Sequence, residues 1–279
     1  MPRTTPTIGA AGGFPAAAAD PSIDPAWRPW LELLEIVDAE SDHPAWGAAV
    51  VAPPATQAEG APLLHAATVR LDAGRAAGIV RRLAGAVGIL GASEIDPSEA
   101  IRAAIERDDA AILRIAESVG ASQETLTVVA QLAAVPVLHG AARVLDAEIP
   151  PAWQLGYCPL CGAWPALVEM RGIERERRLR CACCGAGWPL PVLRCAFCGE
   201  TDHNRLGYLL PEGEEQQRRI ETCESCHGYL KVVNSLGALP FRVLALQDLL
   251  TVPLDLVAQD RGYARPSSPA WVPRIHFVS

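Results

Sequence analysis

LRCACCGAGWPLPVLRCAFCG, the stretch from Leu179 to Gly199, holds five of the nine cysteines in this chain of 279 residues. Two of its cysteine pairs have the form Cys-x-x-Cys, and each is followed directly by glycine. Two intervening residues let a tight turn point both sulfurs at one ion, and glycine supplies the positive φ that the turn needs. The stretch therefore predicts metal-binding turns.

Four Cys-x-x-Cys units lie between residues 158 and 226, and the preceding 157 residues contain no cysteine. Gaps of 19, 10 and 24 residues separate the units. The short middle gap favours sequential pairing, in which the first two units form one four-sulfur site and the last two form another. Interleaved pairing is the alternative. The predicted ligands are Cys158, Cys161, Cys181 and Cys184 for one site and Cys195, Cys198, Cys223 and Cys226 for the other.

The spacing leaves the metal and its role open. Iron and zinc both accept four thiolates, and most closed sites of this kind hold a small domain together. A ribbon of about 35 residues buries too little apolar surface to fold alone, so a metal would take the place of a core. Cys183, the ninth cysteine, lies between two predicted ligands and outside the four Cys-x-x-Cys units. A buried thiol is its simplest interpretation, and an alternative ligand or a reactive thiol is the other.

Helical periodicity dominates the region before the cysteines. Asp24-Pro25 is typical of a helix start, and apolar residues from about 72 to Leu90 share one face. Asp96-Pro97-Ser98-Glu99 is typical of a capping motif and predicts a helix that runs to Gly120. Ser122 is the predicted cap of a further helix, which runs to about Leu145 with a kink at Pro136. These patterns predict a domain of at least four helices.

From Pro150-Pro151 onward the apolar segments become short and are bounded by Gly and Pro, which predicts short strands. The apolar tail predicts a helical segment at 247–259 with a turn at Pro253. The predicted strands are Ala166–Met170, Arg177–Arg180, Pro191–Arg194, Leu206–Leu210, Arg218–Thr222 and Tyr229–Val233. The predicted divisions are a disordered segment at 1–22, a helical domain at 23–150, metal modules at 151–190 and 191–240, and a tail at 241–279 that packs on the other domains.

The charge of the chain and the motifs that its sequence lacks argue against several classes of function. The net charge is -8, and the region from Cys158 to Leu230 has nine Arg against ten Asp and Glu, which argues against a nucleic-acid reader. No run of 18 apolar residues predicts a membrane span, and clustered metal-type cysteines fit the cytoplasm. No phosphate-binding loop, dinucleotide motif, HExxH or nucleophile elbow is present, so we expect a binding or assembly factor and no enzyme.

Four stretches carry a family resemblance. YCPLCGAWP (157–165), LRCACCGAGW (179–188), RCAFCG (194–199) and CESCHGYLK (223–231), with the tail QDLLTVPLDLVA (247–258), resemble the formate dehydrogenase accessory protein FdhE family. The resemblance covers the chain from about residue 25 onward. Cys183 and the insertion of His227 before Gly228 depart from its pattern.

The resemblance implies a multihelical domain followed by two rubredoxin-like (zinc-ribbon-like) modules. It implies a cytoplasmic factor for assembly or activation of respiratory formate dehydrogenase that binds the enzyme's catalytic subunit. It also implies two iron ions held by the eight predicted ligands, with zinc as the alternative metal. A rubredoxin-like electron carrier and a zinc-ribbon structural adaptor are the competing interpretations.

Overall fold

A computed structural model describes residues 23–52, 58–210 and 218–278 of the chain. The chain divides into two compact units, each built from separate stretches of sequence. The first comprises Met1–Ala52, Ala67–Val144 and Arg274–Ser279, and the second comprises Pro53–Ala66 and Leu145–Pro273. The segment predicted to be disordered, 1–22, lies outside the described residues. The borders predicted at residues 150, 190 and 240 stay predictions.

Eight α-helices and nine β-strands occur in the described residues. Helices α1 to α8 span Arg28–Ser41, Pro44–Gly47, Ala73–Ala86, Pro97–Glu106, Asp109–Ser118, Gln123–Leu145, Phe241–Leu250 and Val252–Asp260. Strands β1 to β9 span Val50–Ala52, Thr68–Arg70, Leu167–Arg171, Glu176–Arg180, Gly187–Pro189, Leu206–Leu209, Arg218–Cys223, Tyr229–Ser235 and His276–Val278. A helical N-terminal part followed by a sheet region with two groups of four cysteines is therefore present, as predicted.

Side-chain caps start the helices of the first unit. Asp96 accepts hydrogen bonds from the N–H groups of Ser98 and Glu99 at 2.8 and 3.1 Å, and Pro97 begins α4, as the capping motif predicts. The predicted single helix from Pro97 to Gly120 is wrong. Arg107 adopts a left-handed φ of 52°, and the next residue, Asp108, accepts from the N–H of Ala111 and starts α5.

The predicted helix face ending at Leu90 is also wrong at its last position. Helix α3 ends at Ala86, Gly88 has a φ of 79°, and Leu90 is fully exposed. The apolar periodicity predicted a helix about one turn longer than α3. A glycine in the left-handed region ends a helix regardless of the apolar residues that follow.

A small sheet in the order β1-β2-β9 completes the first unit and was not predicted. Strands β2 and β9 pair in parallel, with Thr68 opposite His276. Strands of three residues show no measurable period, and this pair joins segments from distant parts of the chain.

Helix α6 is long and apolar enough to cross a membrane by length and composition. However, 67% of its most apolar window is buried inside the protein. A core helix meets the same criteria, so α6 by itself is weak support for a membrane span.

The second unit is organised by one six-stranded sheet in the order β5-β4-β3-β8-β7-β6. Strands β3, β4 and β5 form one antiparallel meander, and β6, β7 and β8 form another. The two meanders join through the parallel pair β3–β8, from Leu167 opposite Lys231 to Arg171 opposite Ser235. The first strand of one meander thus pairs with the last strand of the other, an arrangement that only tertiary structure reveals.

The directions of these strands place all four Cys-x-x-Cys units at one end of the sheet. In each meander one unit precedes the first strand and the other lies between the second and third strands. The first strands, β3 and β6, run the same way, because β3 is parallel to β8 and β8 is antiparallel to β7, which is antiparallel to β6. Both sets of cysteines therefore lie along the same rim.

The predicted strand Pro191–Arg194 is wrong. The third strand of the first meander is β5, in which Trp188 is fully buried opposite Leu179, and residues 191–194 form the connection to the second meander. The guanidinium of Arg177 in β4 donates to the carbonyls of Leu190 and Pro191 and forms a 2.7 Å ion pair with Glu221 in β7. One buried arginine thus joins both meanders and the connection between them.

Helices α7 and α8 cover one face of this sheet. Leu244 of α7 packs with Leu167 and Val233, while Leu254 and Ala258 of α8 pack with Ile220 and Tyr229. The predicted turn at Pro253 separates the helices, because this proline occupies the first turn of α8. These two helices therefore pack on the sheet of their own unit.

Candidate metal centres

The first cysteine group consists of Cys158, Cys161, Cys181 and Cys184, whose sulfurs all lie within 4.8 Å of one another. The sulfurs of Cys158 and Cys184 are 3.5 Å apart, as are those of Cys161 and Cys181. All four side chains are buried, and none is more than 4% exposed. The group is closed to solvent.

The second cysteine group consists of Cys195, Cys198, Cys223 and Cys226 and meets the same distance limit. Its closest sulfur pairs, Cys195 with Cys226 and Cys198 with Cys223, are each 3.7 Å apart. Cys198 and Cys226 are exposed, whereas Cys223 is buried. The structure thus brings together the sequentially paired sets and not the interleaved ones, and the two groups differ in exposure.

These distances fit a tetrahedral ion. A metal with bonds of about 2.3 Å to four sulfurs separates the sulfurs by roughly 3.8 Å, and zinc or iron bound by four thiolates has this geometry. The closest pairs, at 3.5 and 3.7 Å, fall near that value. The donor set and its spacing suit one metal ion in each group and do not distinguish iron from zinc.

Backbone geometry holds the sulfurs in place. In three units the N–H of the following glycine donates to the carbonyl of the first cysteine, at 3.0 Å for Gly162 and Gly185 and 3.1 Å for Gly199. These glycines have φ values between 73° and 77°. In the fourth unit His227, with a φ of 53°, occupies the left-handed position that glycine fills elsewhere. The departure from the glycine pattern is therefore a substitution within the same turn.

Replacing Gly199 by alanine is expected to lower the free energy of unfolding by about 1–2 kcal/mol, the cost of a left-handed residue with a Cβ. An added Cβ at Gly199 meets nothing within 4 Å, so backbone strain is the only expected source of the lost stability. Denaturant unfolding measures the change. Gly237→Ala is the matched control, because its Cβ also enters open space and its φ is not left-handed. Equal effects of the two substitutions would show that the turn tolerates alanine.

The two groups are linked through neighbouring turns. The rings of Trp164, just after the first unit, and Phe197, inside the third, meet edge to face at 5.3 Å. A Cβ at Gly156 would lie 1.6 Å from the carbonyl oxygen of Ala196, so only glycine permits this backbone approach. These contacts join two meanders whose association is not encoded in local spacing, so they could not be predicted from the sequence.

Comparison with known proteins supports one family. Residues 193–271 match the family model described as FdhE, C-terminal domain. The chain is 32% identical over 116 residues to an FdhE homolog of Aquifex aeolicus, covering 40% of this chain and 40% of that protein. It is 38% identical over 111 residues to an FdhE homolog of Stutzerimonas stutzeri, covering 39% and 35%. The C-terminal region of the chain is thus similar to that of FdhE proteins.

The similarity covers only part of the length of these relatives. The chain spans about two fifths of the length of the curated FdhE relatives that it matches. A crystal structure of the FdhE protein from Pseudomonas aeruginosa aligns with a TM-score of 0.55 at 24% identity, over 89% of this chain and 88% of that one. This alignment shows that the fold is shared.

The acid–base properties of the eight grouped cysteines depend on a cation. A hydrogen bond from Cys158 lowers the pKa of Cys181 to about 6, whereas burial raises the pKa of Cys184 well above its usual range. In the second group burial raises the pKa of Cys195 to about 11. Neighbouring thiols cannot all ionise in so small a volume unless a metal ion neutralises them.

Cys183 lies outside both cysteine groups. Its side chain is partly buried, and it forms hydrogen bonds with Cys161 and Cys181. A ninth thiol thus sits beside the first group. Its position beside the ligands was visible in the sequence as Cys-Ala-Cys-Cys, and the predicted four-sulfur set does not include it.

Proposed function

We propose that this chain is an accessory protein in the maturation of a formate dehydrogenase, acting in the cytoplasm and binding the enzyme's catalytic subunit. The observation that carries the proposal is a pair of four-cysteine groups on one rim of a sheet, in a chain that is similar to FdhE proteins. The resemblance to the formate dehydrogenase accessory protein FdhE family implies this role. The proposed function includes no reaction catalysed by this chain.

The proposal includes two bound metals. The eight cysteines of the two groups would hold two iron ions in rubredoxin-like modules, with zinc as the alternative. The sulfur spacings support one tetrahedral ion per group. Metal analysis and a visible spectrum of protein purified without oxygen test this directly. Two irons with thiolate-to-iron absorption are expected, and two colourless zinc ions would assign the sites to the alternative.

Metal release is expected to be biphasic. A chelator should remove one ion at least tenfold faster than the other, because Cys198 and Cys226 are exposed while every ligand of the first group is buried. The measurement is the absorbance of a chromophoric chelator over time. Cys198→Ser should abolish the fast phase and leave the slow one. Release of both ions in a single phase would contradict the predicted difference.

Complementation tests the accessory role. In a bacterial strain that lacks its own FdhE protein, expression of this chain is expected to restore formate-dependent dye reduction. A variant with Cys195 and Cys198 replaced by serine should not restore it, whereas Cys183→Ser should, because Cys183 lies outside both groups. Direct binding to the purified catalytic subunit is the second measurement. No restoration and no binding would overturn the proposal.

The exposure of the second group favours one competing function, electron transfer. A redox-active iron must lie near the surface to exchange electrons, and Cys198 and Cys226 meet that condition. Reversible reduction and reoxidation of the iron, in a chain that does not restore formate-dependent dye reduction to the strain lacking FdhE, would favour the electron carrier over the accessory role.

A further inference from the structure

We infer that the outer edge of β6 is a docking site for an extended segment of a partner protein, which adds to the sheet as a seventh strand parallel to β6. The inference deepens the proposed function and takes its partner, the catalytic subunit, from it. Addition of a strand to an exposed sheet edge is a common mode of peptide recognition.

The inference rests on the internal repeat of the sheet, in which two three-stranded meanders share one arrangement. Strand β3, the first strand of its meander, has β4 on one side and the parallel strand β8 on the other. Strand β6 is the first strand of the other meander and has β7 on one side. In the described part of the chain the other side of β6 is a sheet edge. Among the described residues, a parallel strand therefore occupies the outer side of β3, whereas no strand occupies the equivalent side of β6.

The two edges of the sheet are unequal. At one edge β5 has three residues and ends at Pro189, which cannot donate a hydrogen bond to an added strand. At the other edge β6 has the sequence Leu-Gly-Tyr-Leu, with no proline and no charged side chain. Natural edges are usually protected by such residues, so an unprotected edge is an accessible pairing surface.

Apolar side chains beside β6 offer places for a partner's side chains. Tyr208 and Leu210 are 47% and 54% exposed, and Val192 and Leu193 in the connection between the meanders are 47% and 56% exposed. Side chains of β6 and of this connection line a cavity of about 60 Å³. Side chains at alternate positions of an added strand face the same side, so every second residue of the partner segment would meet this apolar surface.

The positive charge of Arg219 indicates which kind of segment would bind at the β6 edge. The guanidinium of Arg219 lies 4.7 Å from the ring centre of Tyr208, and its Nε is buried with no hydrogen-bond partner within the described residues. A segment with a carboxylate beside its apolar residues would complement this cation. A second copy of the chain that paired through its own β6, with the sequence Leu-Gly-Tyr-Leu, would bring no carboxylate on that strand to this cation.

The test compares binding of the purified catalytic subunit by the full metal-loaded chain and by edge variants. The double variant Tyr208→Lys, Leu210→Lys is expected to weaken binding at least tenfold. Leu193→Lys, which leaves β6 intact, should weaken it by a smaller factor. The matched control is Ile173→Lys, Leu236→Lys, two fully exposed apolar residues away from the β6 edge, and it should bind as the parent does. Metal content and unfolding curves confirm that each variant is folded.

Hydrogen exchange distinguishes strand addition from other docking. Amide exchange over residues 206–210 should slow at least tenfold in the complex, because the outward N–H groups of β6 become hydrogen-bonded. Tight binding by the double edge variant, or unchanged exchange in β6, would overturn the inference. A dimer of the free chain that the double variant dissociates would assign the edge to a second copy and overturn it as well.

Failure of the proposed function gives a different result. If the parent chain does not bind the catalytic subunit, that function fails, and a synthetic peptide with the sequence of β8, YLKVVNS, becomes the probe. Slower exchange in β6 at saturating peptide, absent in the double variant, would support the edge as a strand acceptor. No change with this peptide would overturn it.

Discussion

Replacing Cys181 by serine is expected to remove one metal ion and to unfold the first meander of the sheet. Cys181 is fully buried in the first cysteine group, and β4 ends directly before it. Structural zinc sites contribute on the order of 10–16 kcal/mol to small domains, so loss of a ligand should lower the free energy of unfolding by more than about 5 kcal/mol. Metal content and denaturant unfolding followed by circular dichroism measure both effects.

Cys183→Ser is the control, because it makes the same chemical change two residues away. Cys183 lies outside the four-sulfur group and is only partly buried. We expect this variant to keep two metals and to lose less than about 1 kcal/mol, as surface and partly buried substitutions usually do. The reverse result, with metal lost from Cys183→Ser and kept by Cys181→Ser, would make Cys183 the ligand.

Replacing Glu169 by glutamine is expected to lower the free energy of unfolding by about 3–5 kcal/mol, because it leaves the buried guanidinium of Arg180 without its counter-charge. Glu169 in β3 is fully buried and forms ion pairs with Arg180 and Arg171. It also accepts hydrogen bonds from the hydroxyl of Ser235 at 2.8 Å and from the N–H of Leu239 at 2.7 Å. One carboxylate thus ties β3 and β4 to the end of β8 and to the loop before α7.

Glu176→Gln on the neighbouring strand is the control for this substitution. Glu176 pairs with Arg178 at 2.9 Å, but its side chain is 52% exposed, and exposed pairs contribute at most about 1 kcal/mol. Denaturant unfolding at neutral pH compares the two variants. Similar losses from both would show that the buried pair contributes no more than a surface pair.

Acid should reduce the difference between the parent and Glu169→Gln. Burial raises the pKa of Glu169, but the hydrogen bond from Arg171 and the charge of Arg180 outweigh it, so the pKa lies below its ordinary value of 4.5. A lowered folded pKa contributes stability that is complete above that ordinary value and is lost as the pH falls through the folded value. The difference in unfolding free energy should therefore stay constant above pH 4.5 and shrink below it.

Local features of the structure followed from local sequence. The cap at Asp96 and the positive φ of Gly162, Gly185 and Gly199 each depend on a few consecutive residues, and each was predicted correctly. The errors lie where two local signals compete. At Arg107 an apolar period continued across a helix end, and at Pro191–Arg194 a short apolar run resembled a strand while the chain used Gly187–Pro189.

The sequence by itself determined that eight cysteines form four tight turns and that a helical region precedes them, because turn geometry and helix capping act over fewer than about six residues. Only the tertiary structure decided that β3 pairs with β8, that all four turns share one rim, and that one cysteine group is buried while the other is exposed. These features depend on contacts between residues far apart in the chain, whose formation rests on burial and on hydrogen bonding between strands. Spacing along a sequence does not record which distant strands will meet.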